Sequence, residues 1–266
     1  MAQLTNCKKK REVIKLVTEE QVAVALAQYT AALSEKYIKE KGSFNVVLSG
    51  GTLIHTMRVL AEVYKDAVDW SKWRVFWVDE RVVPLDDNDS NYKLANEGFF
   101  KKVKKIPKQN IYPIHYSCSA HEVACDYESR LKTLVQNKVI PTSACGFPKF
   151  DLMLLGIGPD GHIASLFPNR PQRYERKHWV TSILDSPKPP PQRITMTFPV
   201  INCASNIAMV VTGKELADPV AKTLGGFVGP PPPIPCSELE MEAEGEVTWI
   251  LDKGAASKLH HHHVVY

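Results

Sequence analysis

The chain has no run of about eighteen apolar residues, which excludes a membrane-spanning helix. Its N-terminus, MAQLTNCKKKREVIKL, carries charges but no apolar stretch before a small-residue cleavage site, so it does not read as a secretory signal. There is no Cys-x-x-Cys pair. Six cysteines lie scattered at 7, 118, 125, 145, 203 and 236, and in a chain of 266 residues their even number says little; a reduced, cytoplasmic interior is the simpler reading. A Walker loop and a Gly-x-Gly-x-x-Gly fingerprint are both missing, which disfavours nucleotide binding. Without a Gly-x-Ser-x-Gly elbow, an α/β-hydrolase triad lacks its usual signature. Charge of one sign is scarce too. A net charge of +4 suits a small anionic substrate but does not argue for nucleic acid.

What is present is an ordinary globular composition, 44% hydrophobic and 23% charged, in a chain long enough for one large α/β core. Val22, Leu26, Tyr29 and Leu33 recur at helical spacing and predict a helix from about Thr18 to Lys41, opened by a Thr18–Gln21 capping box and stopped by Gly42. Phe44–Leu48 is a short apolar run that reads as a buried strand, ending in Ser49-Gly50-Gly51-Thr52 before helical spacing resumes from Leu53 to Val63. The pattern recurs. Trp73–Val78 ends in Asp79-Glu80-Arg81, Asp151–Leu155 runs through Gly156–His162 into a helix-compatible stretch, and Ile207–Val211 ends in Thr212-Gly213. Buried strands alternating with helices imply a predominantly parallel, Rossmann-like sheet with helices on both faces. Polar and glycine-rich residues sit at the carboxyl ends of these strands, where open α/β sheets bind ligands.

Ser186–Pro191 and Gly229–Pro235 are too proline-rich for helix or central strand. Strand-like runs at Arg193–Phe198 and Val247–Leu251 follow them, so both are expected as loops crossing a single domain of residues 1–259. Residues 260–266, with four histidines, form a tail of uncertain origin.

Three turns are candidates for chemistry. Gly50, Gly51 and Thr52 can present backbone N–H groups to an anion at a helix start, or the glycines can serve a tight turn for steric reasons alone. Asp160-Gly161-His162 offers a histidine that a helix N-terminus would keep neutral, as a general base requires, with Asp160 near enough to orient it; the alternative is a capping aspartate beside a surface histidine. Asp79-Glu80-Arg81 brings two carboxylates and a guanidinium to another strand end, either to grip an anion or to form an internal ion pair. Arg193 is an anion ligand or a charge at a strand entrance.

Other clusters are weaker. His115, Cys118, His121 and Cys125 have zinc-like spacing, yet Val123, Tyr127, Leu131 and Leu134 make the same segment an amphipathic helix. Ser165 falls three residues after His162 on the expected helix and reads as a packing or capping residue. Cys145 lies in a Gly/Pro-rich loop with no activating group near it along the chain.

Taken in order, Leu48–Thr52, Asp79–Pro84 with Ser90-Asn91, Leu155–His162 with Ser165–Pro168, Asp185–Arg193 and Trp249–Asp252 resemble the 6-phosphogluconolactonase family over roughly residues 15–259. The resemblance implies the fold shared with glucosamine-6-phosphate deaminases, no metal or organic cofactor, and hydrolysis of 6-phosphogluconolactone in the pentose phosphate pathway. It implies that His162 takes a proton from the attacking water, Arg81 stabilises negative charge, and Gly50, Gly51, Thr52 and Arg193 hold the phosphate. The sugar phosphate lactone is the partner implied, with no nucleic acid and no membrane. One family feature is missing: the lysine expected three residues after Gly213 is Leu216, for which Lys214 or Lys222 could compensate. The related deaminases usually carry a glutamate five residues after the histidine and a tyrosine in place of the arginine; here those positions are Phe167 and Arg81, which favours the lactonase. Ser257-Lys258-Leu259 would be a peroxisomal address only at a free C-terminus.

Overall fold

The computed structural model describes residues 11–116, 119–225 and 234–259. Six parallel strands form the central sheet: β1 (Arg11–Lys15), β2 (Phe44–Leu48), β3 (Trp73–Trp77), β5 (Leu152–Leu155), β8 (Asn206–Val211) and β9 (Glu246–Leu251), in the spatial order β1-β9-β8-β5-β2-β3. Successive residues of these strands point to opposite faces, and both faces are buried. Phe44, Val46 and Leu48 of β2 enter one core, and Val47 enters the other; Leu152 and Leu154 of β5 part from Met153 and Leu155 in the same way. This is why the strands read as continuous apolar runs rather than as alternating ones.

The first core is closed by the helix Glu19–Lys41 and the short helices Thr52–Thr56 and Arg58–Val63, with Trp70, Trp73 and Phe99 packed ring to ring. The long helix has the expected ends. Thr18 and Gln21 form the capping box, and Gly42 closes it in the left-handed region. The helix expected from Leu53 to Val63 is instead two short ones that meet at Met57. The second core is covered by the helices Ala120–Gln136, Phe198–Asn202, Ala217–Leu224 and Pro235–Glu242. Pro235, expected in a loop, starts that last helix at a position where its missing N–H costs nothing. The remainder of the Gly229–Pro235 loop expectation concerns Gly229–Pro233, which lies outside the described residues, as do the tail 260–266 and Cys118. No helix among the described residues is long and apolar enough to cross a membrane.

A second, three-stranded antiparallel sheet departs from the expected pattern. Its members are β4 (Asp79–Arg81), β6 (Val180–Ile183) and β7 (Arg193–Met196), in the order β4-β7-β6. The strand-like run Arg193–Phe198 is a strand over its first four residues, β7 of this smaller sheet, and Phe198 starts a helix. β4 follows β3 after one residue, so the chain passes from the large sheet straight into the small one.

Candidate active site

The chain runs from β2 outward to β3, then returns to β5 on the other side of β2. That reversal creates a crevice at the carboxyl ends of β2 and β5, where open α/β sheets bind ligands. The three expected turns all open there. Ser49, Gly50, Gly51, Thr52, Asp79, Arg81, Gly158, His162, Lys188 and Arg193 line one cleft of about 720 Å³, mouth included.

After β2, Gly51 takes a φ of +69° and caps the helix Thr52–Thr56, whose first N–H groups have no intrahelical partner. Gly50 lies so close to Asn91 that a Cβ would fall 1.9 Å from Asn91 Oδ1. The steric use of the glycines is thus present, as positive φ at Gly51 and close approach to Asn91 at Gly50.

After β5 the structure corrects the expected helix. Residues 156–170 form irregular turns, with Gly161 at φ +84° and Ala164 at +49°. No helix dipole acts on His162, and Ser165 is not helical. Asp160 orients the imidazole instead: His162 Nδ1 and Asp160 Oδ1 are 2.5 Å apart. In the neutral ring, Nδ1 donating to the carboxylate leaves the lone pair on Nε2, which makes no hydrogen bond among the described residues. Burial pushes the Asp160 carboxyl up, but the His162 ring outweighs it and holds it below its ordinary value. The ring is bounded by Phe167, 4.6 Å away between centroids, and by Gly158, where a Cβ would fall 2.0 Å from His162 Cε1.

The Asp79-Glu80-Arg81 turn is itself strand β4, so its neighbours alternate. Asp79 and Arg81 reach the cleft, whereas Glu80 turns away to accept N–H bonds from Arg81, Asn91 and Tyr92 at 2.7, 2.7 and 2.8 Å. Burial pushes its carboxyl up to about 7 against those three donors. Asp79 Oδ2 accepts from Ser165 Oγ at 2.6 Å, which gives the buried Ser165 its role in the core of the site. Among the described residues, no carboxylate forms an ion pair with Arg81. Its Nη1 donates to Asp89 O at 2.7 Å, and its buried Nε has no partner.

Register places Arg81 directly opposite Arg193. Like charges facing each other across a ladder are unfavourable. Arg193 is pushed below its usual value by burial, with Arg81 adding to the effect and Asp79 opposing it. Its donors are engaged: Nε to Pro190 O at 3.1 Å, Nη2 to Lys188 O at 2.9 Å and Pro189 O at 3.0 Å, Nη1 to Ser165 Oγ at 3.4 Å. Arg193 thus pins the proline-rich loop over the cleft, and that loop carries Lys188 to its lining. Lys188 is not among the expected site residues, although it falls within the Asp185–Arg193 stretch that carries the family resemblance. Lys214, Leu216 and Lys222 do not line the cleft.

The zinc-like residues stand apart. His115 Nδ1 is 3.2 Å from Asp126, and His121 lies 3.7 Å from Cys125 on one helical turn. Among the described residues no group of three or more His, Cys, Asp or Glu is placed to hold a metal ion.

Comparison with known proteins shows which chains this one resembles. A rice protein (Oryza sativa subsp. indica) named probable 6-phosphogluconolactonase 4, chloroplastic, is 56% identical over 250 residues, covering 93% of this chain and 76% of its own. Probable 6-phosphogluconolactonase 2 of Arabidopsis thaliana is 52% identical over 258 residues, 95% of this chain and 96% of its own. The structure of 6-phosphogluconolactonase from Trypanosoma brucei superposes with a TM-score of 0.80 at 27% identity, covering 95% of this chain and all of that one. A monomeric glucosamine-6-phosphate deaminase shares the fold, with a TM-score of 0.73 at 24% identity over 93% of this chain and 99% of that one. Residues 17–249 match the family described as glucosamine-6-phosphate isomerases/6-phosphogluconolactonase, and the chain belongs to that family.

Proposed function

We propose that this chain hydrolyses 6-phosphoglucono-1,5-lactone to 6-phosphogluconate, with His162 as general base. The observation that carries the reading is one cleft in which an imidazole oriented by Asp160 faces two arginines and a lysine. His162 Nε2 takes a proton from water as the oxygen attacks the lactone carbonyl. Negative charge then develops on the carbonyl oxygen, and the guanidinium of Arg81, which lines the cleft, stabilises it. When the ring C–O bond breaks, the imidazolium returns the proton to the departing ring oxygen. The 6-phosphate rests on the glycine turn Gly50-Gly51-Thr52 and on Lys188. Arg193 contributes its charge and holds the loop that carries Lys188. A strained ester needs little more than a base, charge stabilisation and positioning, so no metal or organic cofactor enters this scheme.

Phe167 bears on the choice against the deaminase reaction, because it packs its ring on His162 where those enzymes usually carry a glutamate. Residues 1–259 act as one catalytic unit in this reading, since strands on both sides of the proline-rich loop contribute to the cleft. The test is lactone hydrolysis above the spontaneous rate, with wild type and His162→Ala side by side. Wild type should accelerate the reaction, and the variant should lose about 10²-fold or more in kcat with KM little changed. No acceleration by wild type would overturn the substrate assignment. Equal activity of the two proteins would overturn the role of His162.

A further inference from the structure

Behind Arg81, one carboxylate gathers the chain that holds its guanidinium. Glu80 is buried in β4 and does not line the cleft. Its Oε1 accepts the N–H groups of Arg81 and Asn91, both at 2.7 Å. Its Oε2 accepts the N–H of Tyr92 at 2.8 Å and the Ser90 hydroxyl at 3.4 Å. The segment caught in this way is the one that meets the arginine's other end, because Arg81 Nη1 donates to Asp89 O at 2.7 Å. Asn91 Nδ2 ties the same segment to β4 once more, donating to Asp79 O at 3.1 Å. Main chain and guanidinium of Arg81 are thus both referred to Glu80, the first directly and the second through the residue before Ser90.

Glu80 is poorly suited to serve stability alone. Taking a carboxylate out of water is costly even where it is hydrogen-bonded. Here burial pushes the carboxyl up to about 7 against its three N–H donors, with the neighbouring Asp79 adding to the rise. A long arginine side chain, by contrast, has much rotamer freedom to lose and gains precision from being held. We propose that Glu80 is the positioning residue of Arg81, fixing the guanidinium at the cleft through the Arg81 main chain and the Asp89 carbonyl. This role depends on the charge stabilisation assigned to Arg81 above. The charge that Arg81 meets develops on the way to the transition state, so a loosened guanidinium lowers kcat. Gly51 and Lys188, which receive the 6-phosphate in the proposed complex, lie on other segments, so KM is spared.

The experiment is lactone hydrolysis by wild type, Glu80→Gln, Arg81→Ala and the double variant, with thermal unfolding of the same preparations. Glu80→Gln keeps the shape but sets a donor against the Tyr92 N–H, and the resulting shift should lower kcat by about tenfold with KM within about twofold. Arg81→Ala should lower kcat by roughly 10²-fold. Because Glu80 acts through Arg81, the double variant should match Arg81→Ala within about twofold. Glu80→Asp, which withdraws the carboxylate by one methylene, is a second variant and should also lower kcat only where Arg81 is present. The proposal is overturned if the Glu80 substitutions leave kcat unchanged, if they cost as much without Arg81 as with it, or if both variants fail to fold. No acceleration by wild type, or full activity of Arg81→Ala, would instead overturn the reading of the cleft, and the role of Glu80 with it.

Discussion

Gly158→Ala separates what the backbone permits from what the site permits. Gly158 does not occupy the left-handed region, so alanine suits its main chain, and its N–H bond to His162 O at 2.9 Å survives the change. The new methyl, however, would lie 2.0 Å from His162 Cε1, 2.1 Å from Nδ1 and 2.8 Å from Asp160 Oδ1. Carbon atoms in contact prefer about 3.5–4.0 Å, so the ring must move by well over 1 Å and give up Asp160. A displacement of about 1 Å can cost around 10²-fold in rate, and kcat should fall by about that factor. The ring has somewhere to go, because it borders the open cleft. The overpacking cost of about 1–3 kcal/mol met in closed cores is therefore largely avoided, and the lost freedom of the unfolded chain returns about 0.4–1 kcal/mol. Stability should stay within about 1 kcal/mol of wild type. Lactone hydrolysis and thermal unfolding of the same preparations decide the matter. Activity within threefold of wild type would refute the steric reasoning, and a collapse of Tm in parallel with activity would refute the separation of site from backbone.

Lys188→Ala should raise KM for the phosphorylated lactone by roughly tenfold, in line with a lost hydrogen bond to a charged group, and leave kcat within about twofold; an unchanged KM would remove Lys188 from the phosphate site. Ser165→Ala strips the buried Asp79 Oδ2 of its 2.6 Å donor and should destabilise the fold by about 1–3 kcal/mol, read as a lower Tm or denaturation midpoint. Asp160 has a folded pKa below its unfolded value, so it adds stability above the unfolded value, and that contribution is lost as pH falls through the folded one. The stability difference between wild type and Asp160→Asn should therefore be present at neutral pH and shrink below about pH 4, as followed by urea unfolding across the acid range.

The parts of this molecule that were legible in the sequence are those whose physics is local. Phe44–Leu48 reads as a strand because both of its faces are buried, and Thr18 with Gln21 reads as a helix start because a capping box lies within four residues. The Asp160–His162 pair was legible for the same reason, as two groups facing each other across a single glycine. The second sheet was not. Asp79-Glu80-Arg81 has no strand signature, and it becomes one only because Arg193–Met196, far along the chain, offers it a ladder. The helix expected after His162 failed through a coincidence of spacing: Ile163, Leu166 and Phe167 mimic a helical face, but left-handed Gly161 and Ala164 fold the same apolar residues inward as a turn. Lys188 was out of reach because its position depends on Arg193 binding three successive carbonyl-bearing residues of the proline loop.

These failures cluster where local rules are broken. A charged triplet forms a strand, two arginines face each other across a ladder, a carboxylate is buried with its titration pushed up to about 7, and a guanidinium nitrogen is buried without a partner. Each is unfavourable in isolation, and a sequence consistent at every level would avoid them. Two of these features, the strand that carries Arg81 and the facing pair of arginines, border the cleft in which the lactone is proposed to bind, whereas Glu80 turns away from it. In the proposed complex, an anion between Arg81 and Arg193 would relieve their repulsion. The departures from sequence expectation at Arg81 and Arg193 thus fall in the same cleft as the proposed chemistry, in which the phosphorylated substrate supplies the negative charge that faces them.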